Sequence, residues 1–70
     1  MLPVFRWRFN AEDDDGESHA LLPEDVPDFV GTFTGAAIEG GRLADEWETR
    51  TGGTVRRLEC ERRGKVSGAS

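Results

Sequence analysis

The 70-residue sequence has one cysteine, one histidine, one methionine and no tyrosine. With Cys60 alone, no disulfide can form within the chain, and a single thiol suits a reducing compartment better than a secreted scaffold. No apolar run approaches the roughly 18 residues that span a bilayer. The first nine residues carry Arg6 and Arg8 among apolar neighbours and lack the apolar stretch and cleavage site of a signal peptide. The expected location is therefore the cytoplasm of a bacterium or of a host cell, with no membrane partner. There is no repeat and no linker. A chain of this length forms one domain, expected over residues 1–62, with residues 63–70 as a frayed tail.

Catalytic and ligand motifs are scarce as well. His19 and Cys60 together fall short of the three protein ligands that a zinc site requires. Ser18 precedes His19, but neighbours on a strand face opposite sides, so they cannot act as a nucleophile and base. Cys60 alternates with Leu58 and reads as a core residue, although Arg56 and Arg62 fall on its strand face. The acidic run Glu12–Glu17 invites a calcium loop. Aligned on Gly16, however, the first and twelfth positions are Ala11 and Leu22, and neither is a ligand. The glycines match no phosphate-binding pattern. No cofactor, metal site or catalytic residue is expected, and the chain reads as a non-enzyme.

What the sequence does hold is charge, and it is segregated. Residues 1–10 carry two arginines and no acid. Residues 11–48 carry twelve acids against one base, Arg42. Residues 49–70 carry six bases against two acids, which completes the net charge of −5. Eight of the nine bases are arginine, the bias of a GC-rich coding genome.

The fold expected is α+β, a small antiparallel sheet of three or four strands packed on one helix. Residues 3–9, PVFRWRF, alternate strictly, with Phe5, Trp7 and Phe9 on one face, as in a half-buried strand. Residues 10–17 read as a loop and residues 18–22 as a second strand. Pro23 and Pro27 bracket a connector. Residues 28–33 form either a third strand or the approach to the helix. Over 35–51, Phe33, Ala36, Ala37, Gly40, Leu43, Ala44 and Trp47 share an arc of roughly 120°. Thr34 is the expected N-cap, Gly52 and Gly53 the stop, and Glu46–Arg50 an i,i+4 pair. Gly40 and Gly41 suggest close approach of the helix to the sheet. Residues 54–62 form the last strand. The expected core adds Phe29, Val30, Leu58 and Cys60 to these apolar positions.

Arg6-Trp7-Arg8 between phenylalanines has the composition of a nucleic-acid strand. The aromatics share one face and the arginines the other, so the aromatics read as core and no direct nucleic-acid contact is expected. The arginines are expected to pair across the sheet with Glu59 and Glu61. The acidic middle is then the candidate site: Glu12, Asp13, Asp14, Asp15 and Glu17 in the loop, and Asp45, Glu46 and Glu48 on the helix. Glu24, Asp25 and Asp28 add to it in the connector. If loop and helix share one side, they attract a basic protein groove. A solubilising or salt-adapted surface would show the same composition.

The order of elements, with LLPEDVPDF leading into a helix, resembles the HicB-type antitoxin fold. The resemblance spans residues 17–61 and rests on Leu22-Pro23, Pro27-Asp28 and Ala36, Ala37 and Ala44. The connector has extra residues, and no functional residue is carried over. Phage-encoded anti-CRISPR proteins are similar in size and acidity. The expected function is inhibitory binding to a basic, nucleic-acid-handling protein or complex, by mimicry of nucleic acid. The alternative is a HicB-like antitoxin or structural adaptor that pairs through a sheet edge. Monomer and homodimer are both compatible, since one helix covers only one sheet face.

Overall fold

One strand supports every other element. In the computed structural model, which describes residues 2–66, β1 (Phe5–Asp13) is followed by β2 (Ser18–Ala20), β3 (Phe29–Gly31), α1 (Phe33–Thr51) and β4 (Val55–Lys65). β4 runs antiparallel along one edge of β1, from Phe5↔Lys65 to Asp13↔Val55. The other edge is shared end to end: β2 pairs with Asn10–Glu12 and β3 with Phe5–Trp7, both antiparallel. The result is an α+β fold with a four-stranded antiparallel sheet. β3 and β4 are both antiparallel to β1, hence parallel to each other. α1 connects them across β1 as a split β-α-β unit.

Alternation along β1 makes the core. Phe5, Trp7, Phe9 and Ala11 face the helix and are all buried, while Arg6, Arg8, Asn10 and Glu12 face the other way. α1 answers with Ala36, Gly40, Leu43, Ala44 and Trp47. Phe5 and Trp7 meet edge to face, and Phe33 closes on both with centroids 5.3 Å away. Trp7 donates its indole N–H to Gly31 O at 2.9 Å, which ties β3 to the core polar-side first. Gly40 lets the helix come down on the sheet. A Cβ there would lie 3.1–3.2 Å from Cys60 Sγ, Leu58 Cδ2 and Phe9 Cδ1.

Several expectations need correction. β1 runs four residues beyond Phe9, because Ala11 continues the buried face and β4 supplies its hydrogen bonds. Only Asp14–Glu17 form the turn. Residues 28–33 satisfy both readings in sequence: a short strand, then the helix two residues later. The N-cap is Thr32, whose hydroxyl accepts from Gly35 N at 3.1 Å; Thr34 lies inside the first turn. Gly52 ends the helix at φ 75°, as expected. Glu46 pairs backward with Arg42, which also holds Glu39, so the expected Glu46–Arg50 pair gives way to this one. β4 extends to Lys65, three residues past its expected end; residues 67–70 of the expected tail lie outside the described residues. Val30, Phe33 and Ala37 are exposed rather than core, whereas Ala11 and Leu21 are buried.

Arg8 also departs from expectation. It stands opposite Glu61 in register, yet its guanidinium turns to the connector. It donates to Val26 O (2.7 Å), Leu22 O (3.0 Å), Pro23 O (2.8 Å) and Asp28 Oδ1 (3.3 Å). The proline-rich connector has few internal backbone bonds, so its carbonyls need a donor, and one planar five-donor group supplies them. Glu59 and Glu61 pair along their own strand with Arg57 and Arg63.

Two helix glycines should respond in opposite ways to alanine. Gly41→Ala meets only open space and is expected to stabilise by about 0.5–1 kcal/mol through helix propensity. Gly40→Ala should show no such gain, because the same propensity is offset by crowding against Phe9, Leu58 and Cys60. Urea unfolding in dilute solution measures both; equal stabilisation would contradict the packing described.

Candidate functional site

The strand β1 carries its last residues past the core and turns back at a tight acidic hairpin. Asp13 organises it. Its backbone closes the turn through Asp13 N to Glu17 O (2.9 Å) and Gly16 N to Asp13 O (3.0 Å), with Gly16 at φ 84°. Its Oδ1 accepts from the Asp15 and Glu17 amides at 2.9 and 3.0 Å. Its Oδ2 lies 2.7 Å from His19 Nε2. An ionised carboxylate only accepts, so this bond places the proton on Nε2. The imidazole in turn packs on Trp47, centroids 5.0 Å apart. A single carboxylate thus fixes the turn and, through His19, joins it to the helix.

These bonds hold the Asp13 carboxyl below the ordinary carboxylate range. The His19 hydrogen bond is the largest cause, followed by the Glu17 amide. His19 lies on the edge strand β2 and forms a half-buried link between the turn and the helix. The pair was invisible in the sequence because residues 10–17 read as loop. Once Asp13 is on β1 and His19 on β2, the hairpin register sets them on the same face.

The hairpin and the C-terminal half of α1 lie at the same end of the molecule. α1 starts over Phe5 through Phe33 and ends beside His19 through Trp47. The eight candidate acids accordingly sit on elements that meet at this end, with Asp45 and Glu46 on faces of α1 turned away from Trp47, and they divide into two groups. Glu12 pairs with Arg56 at 2.9 Å, raising the Arg56 guanidinium further above its ordinary value. Asp13 is engaged as described. Glu46 pairs with Arg42, and Glu48 accepts from Val55 N at 2.7 Å. Asp14, Asp15, Glu17 and Asp45 are exposed and make no side-chain bond among the described residues. Four acids have a partner within the chain, Glu46 only through an exposed pair, and four have none among the described residues.

Other features have local roles. Cys60 is half-buried under α1, and burial pushes its thiol pKa up, away from a reactive thiolate. Arg62, on the same strand face, lies 4.9 Å over the Phe5 ring instead of beside Cys60. Trp7 and Phe9 are buried and unavailable for stacking on bases. The uncovered sheet face forms an open groove of about 750 Å³ between β1 and the connector, walled by Leu22, Val26 and Val30. Its charged side chains include the pairs Arg8–Asp28 and Glu61–Arg63. Among the described residues no three His, Cys, Asp or Glu side chains converge as metal ligands. No described helix is long and apolar enough to cross a membrane. No protein-family profile matches the chain, and no curated protein or solved structure is significantly similar to it.

The Asp13 linkage has a definite sign. The folded state keeps this carboxylate ionised where an unfolded aspartate takes up a proton. Its contribution to stability is complete above the ordinary aspartate range and is lost as pH falls through the lowered native value. Asp13→Asn should flatten the acid limb of the stability curve, read as urea midpoints between about pH 2 and 6. An acid limb as steep as that of the wild type would show that Asp13 is not the linked group.

Proposed function

We propose that the chain is a non-enzymatic acidic binding protein that uses its hairpin end to engage a basic, nucleic-acid-handling protein or complex. One observation carries this reading. Asp14, Asp15, Glu17 and Asp45 are exposed at one end, on a scaffold whose neighbouring acids are tied down by His19, Arg56, Arg42 and a backbone amide. Because Asp13 fixes the turn backbone, the carboxylates on it need only side-chain ordering on binding. They can stand where phosphates would stand in a positively charged channel and accelerate encounter electrostatically. The mode is that of a small nucleic-acid mimic, the strategy of phage-encoded inhibitors of host defence such as anti-CRISPR proteins.

A second reading, an adaptor or antitoxin-like protein that pairs through a sheet edge, is supported by the unpaired outer edge of the eleven-residue β4. The two readings differ in salt response. Edge pairing follows backbone and apolar contacts and changes little with ionic strength.

Reversal of the exposed hairpin charges tests the first reading without touching the scaffold. Asp14→Lys, Asp15→Lys and Glu17→Lys together leave Asp13 and His19 in place. Affinity capture from a bacterial or infected-cell lysate, washed at graded salt, should retain basic partners on the wild type with steep salt dependence. The triple variant should lose them, or hold them with a flattened slope. Retention of the same partners with an unchanged slope would rule the acidic hairpin out.

A further inference from the structure

The outer edge of β4 and the flank of α1 above it form a surface that the monomer leaves unused. Among the described strands β4 pairs only with β1, and on its outer side Val55 N is already taken by Glu48. α1 leans over it: Cys60 Sγ is 4.0 Å from Ala36 O, Phe33 lies beneath the Arg62 guanidinium at 5.9 Å, and Glu48 reaches Val55 N. Ala37 and Gly41, one turn apart, fall on the flank shared with Phe33 and Glu48, and so on the β4 side. Ala37 is exposed, and Leu58 and Cys60 below are only half-buried. Gly41 is the telling residue. A Cβ there meets nothing within 4 Å, and its φ is ordinary. Glycine weakens a helix interior, and nothing inside the monomer offsets that loss. Close approach of another backbone would.

We propose that a second copy of this chain covers this surface. β4 pairs antiparallel with β4 of the copy, the sheet continues across a two-fold axis, and the two α1 helices lie side by side above the seam. Charge selects this occupant. On the open sheet face β4 presents Arg57, Glu59, Glu61 and Arg63, in the sign order plus, minus, minus, plus. A charged edge opposes pairing with an arbitrary strand. Centred on Glu59, however, an antiparallel copy sets Arg57 of each chain opposite Glu61 of the other, twice by symmetry. The two Glu59 carboxylates meet at the axis, each already held by its own Arg57. The same register sets Leu58 opposite Cys60, also twice, and beyond them Arg56 opposite Arg62, like charges that are each engaged within their own chain, by Glu12 and by the Phe5 ring. The antiparallel helices place the acidic C-terminal half of each beside the N-terminal half of the other, whose first turn carries no acid.

This surface uses none of the exposed hairpin carboxylates. It rests on the edge-pairing reading and gives that edge one occupant. Sedimentation velocity from about 10 μM to 1 mM, the weak end of measurable self-association, tests it. The wild type should pass from monomer to dimer. Gly41→Arg should stay monomeric with an undiminished Tm in dilute solution, because the new side chain meets only open space in the monomer. Arg57→Glu and Glu61→Arg should each weaken the dimer about tenfold, and the double variant should recover it, since each chain then brings both swapped partners. A wild type monomeric at 1 mM overturns the proposal; if it still captures basic partners, the acidic-end reading stands alone. Dimerisation of Gly41→Arg at wild-type strength, or failure of the double variant to recover what the single variants lose, also overturns it.

Discussion

The structure depends on β1 serving two edges at once. In a chain of this size there is little apolar surface to spare, and an unpaired strand would leave its amides to water. β1 pairs with β4 along one edge and with β2 and β3 in turn along the other. It also sends four side chains into the core. Every other element is placed by reference to it. β4 needs its full length as a template, β3 is drawn in by the Trp7 indole, and α1 can only lie over its aromatic face. The two register shifts, which leave Arg63 and Arg56 unmatched, keep inward and outward residues in phase while the long pair twists.

The same strand shows how polar residues hold the periphery. Arg8 collects three carbonyls and one carboxylate from a connector that prolines deprive of regular bonding. Asp13 collects two amides and the imidazole. Both act through geometry more than through net charge, because exposed ion pairs contribute little in water. The acidic middle of the chain is thus two populations. Among the eight candidate acids, Glu12, Asp13, Glu46 and Glu48 have partners within the chain, whereas Asp14, Asp15, Glu17 and Asp45 are presented to solvent. The binding proposal concerns the second population, and the rigidity it relies on comes from the first.

Local chemistry was legible where a periodicity or a special backbone residue announced itself. The alternation of Phe5, Trp7 and Phe9, the helical arc ending at Trp47 and the left-handed stop at Gly52 all lie in short windows. The class of fold follows from them. The helix start was misplaced because Thr32 and Thr34 have the same capping chemistry, and only backbone geometry separates them. The far half of β1 was hidden because Asn10, Glu12 and Asp13 have loop composition. Their strand conformation is dictated by a partner more than forty residues away. The candidate acids were readable as a group from charge, but their division into tied and free was not. Glu12–Arg56 and Asp13–His19 are long-range or register-dependent pairs.

By itself the sequence determined the inventory: one thiol, one imidazole, an aromatic-rich strand, one amphipathic helix and a strongly acidic middle. Those are sums and short periods, and they survive any arrangement of the elements. Only the tertiary structure decided which carboxylates are spent on the scaffold, which arginine holds the connector and which glycine is crowded by the sheet. Each depends on what a folded chain brings within about 3–4 Å, and residues distant in sequence supply that. Gly40 and Gly41 are adjacent and chemically identical. One is required by a neighbouring sheet and the other faces open space, a difference that arises only once the helix has been laid down.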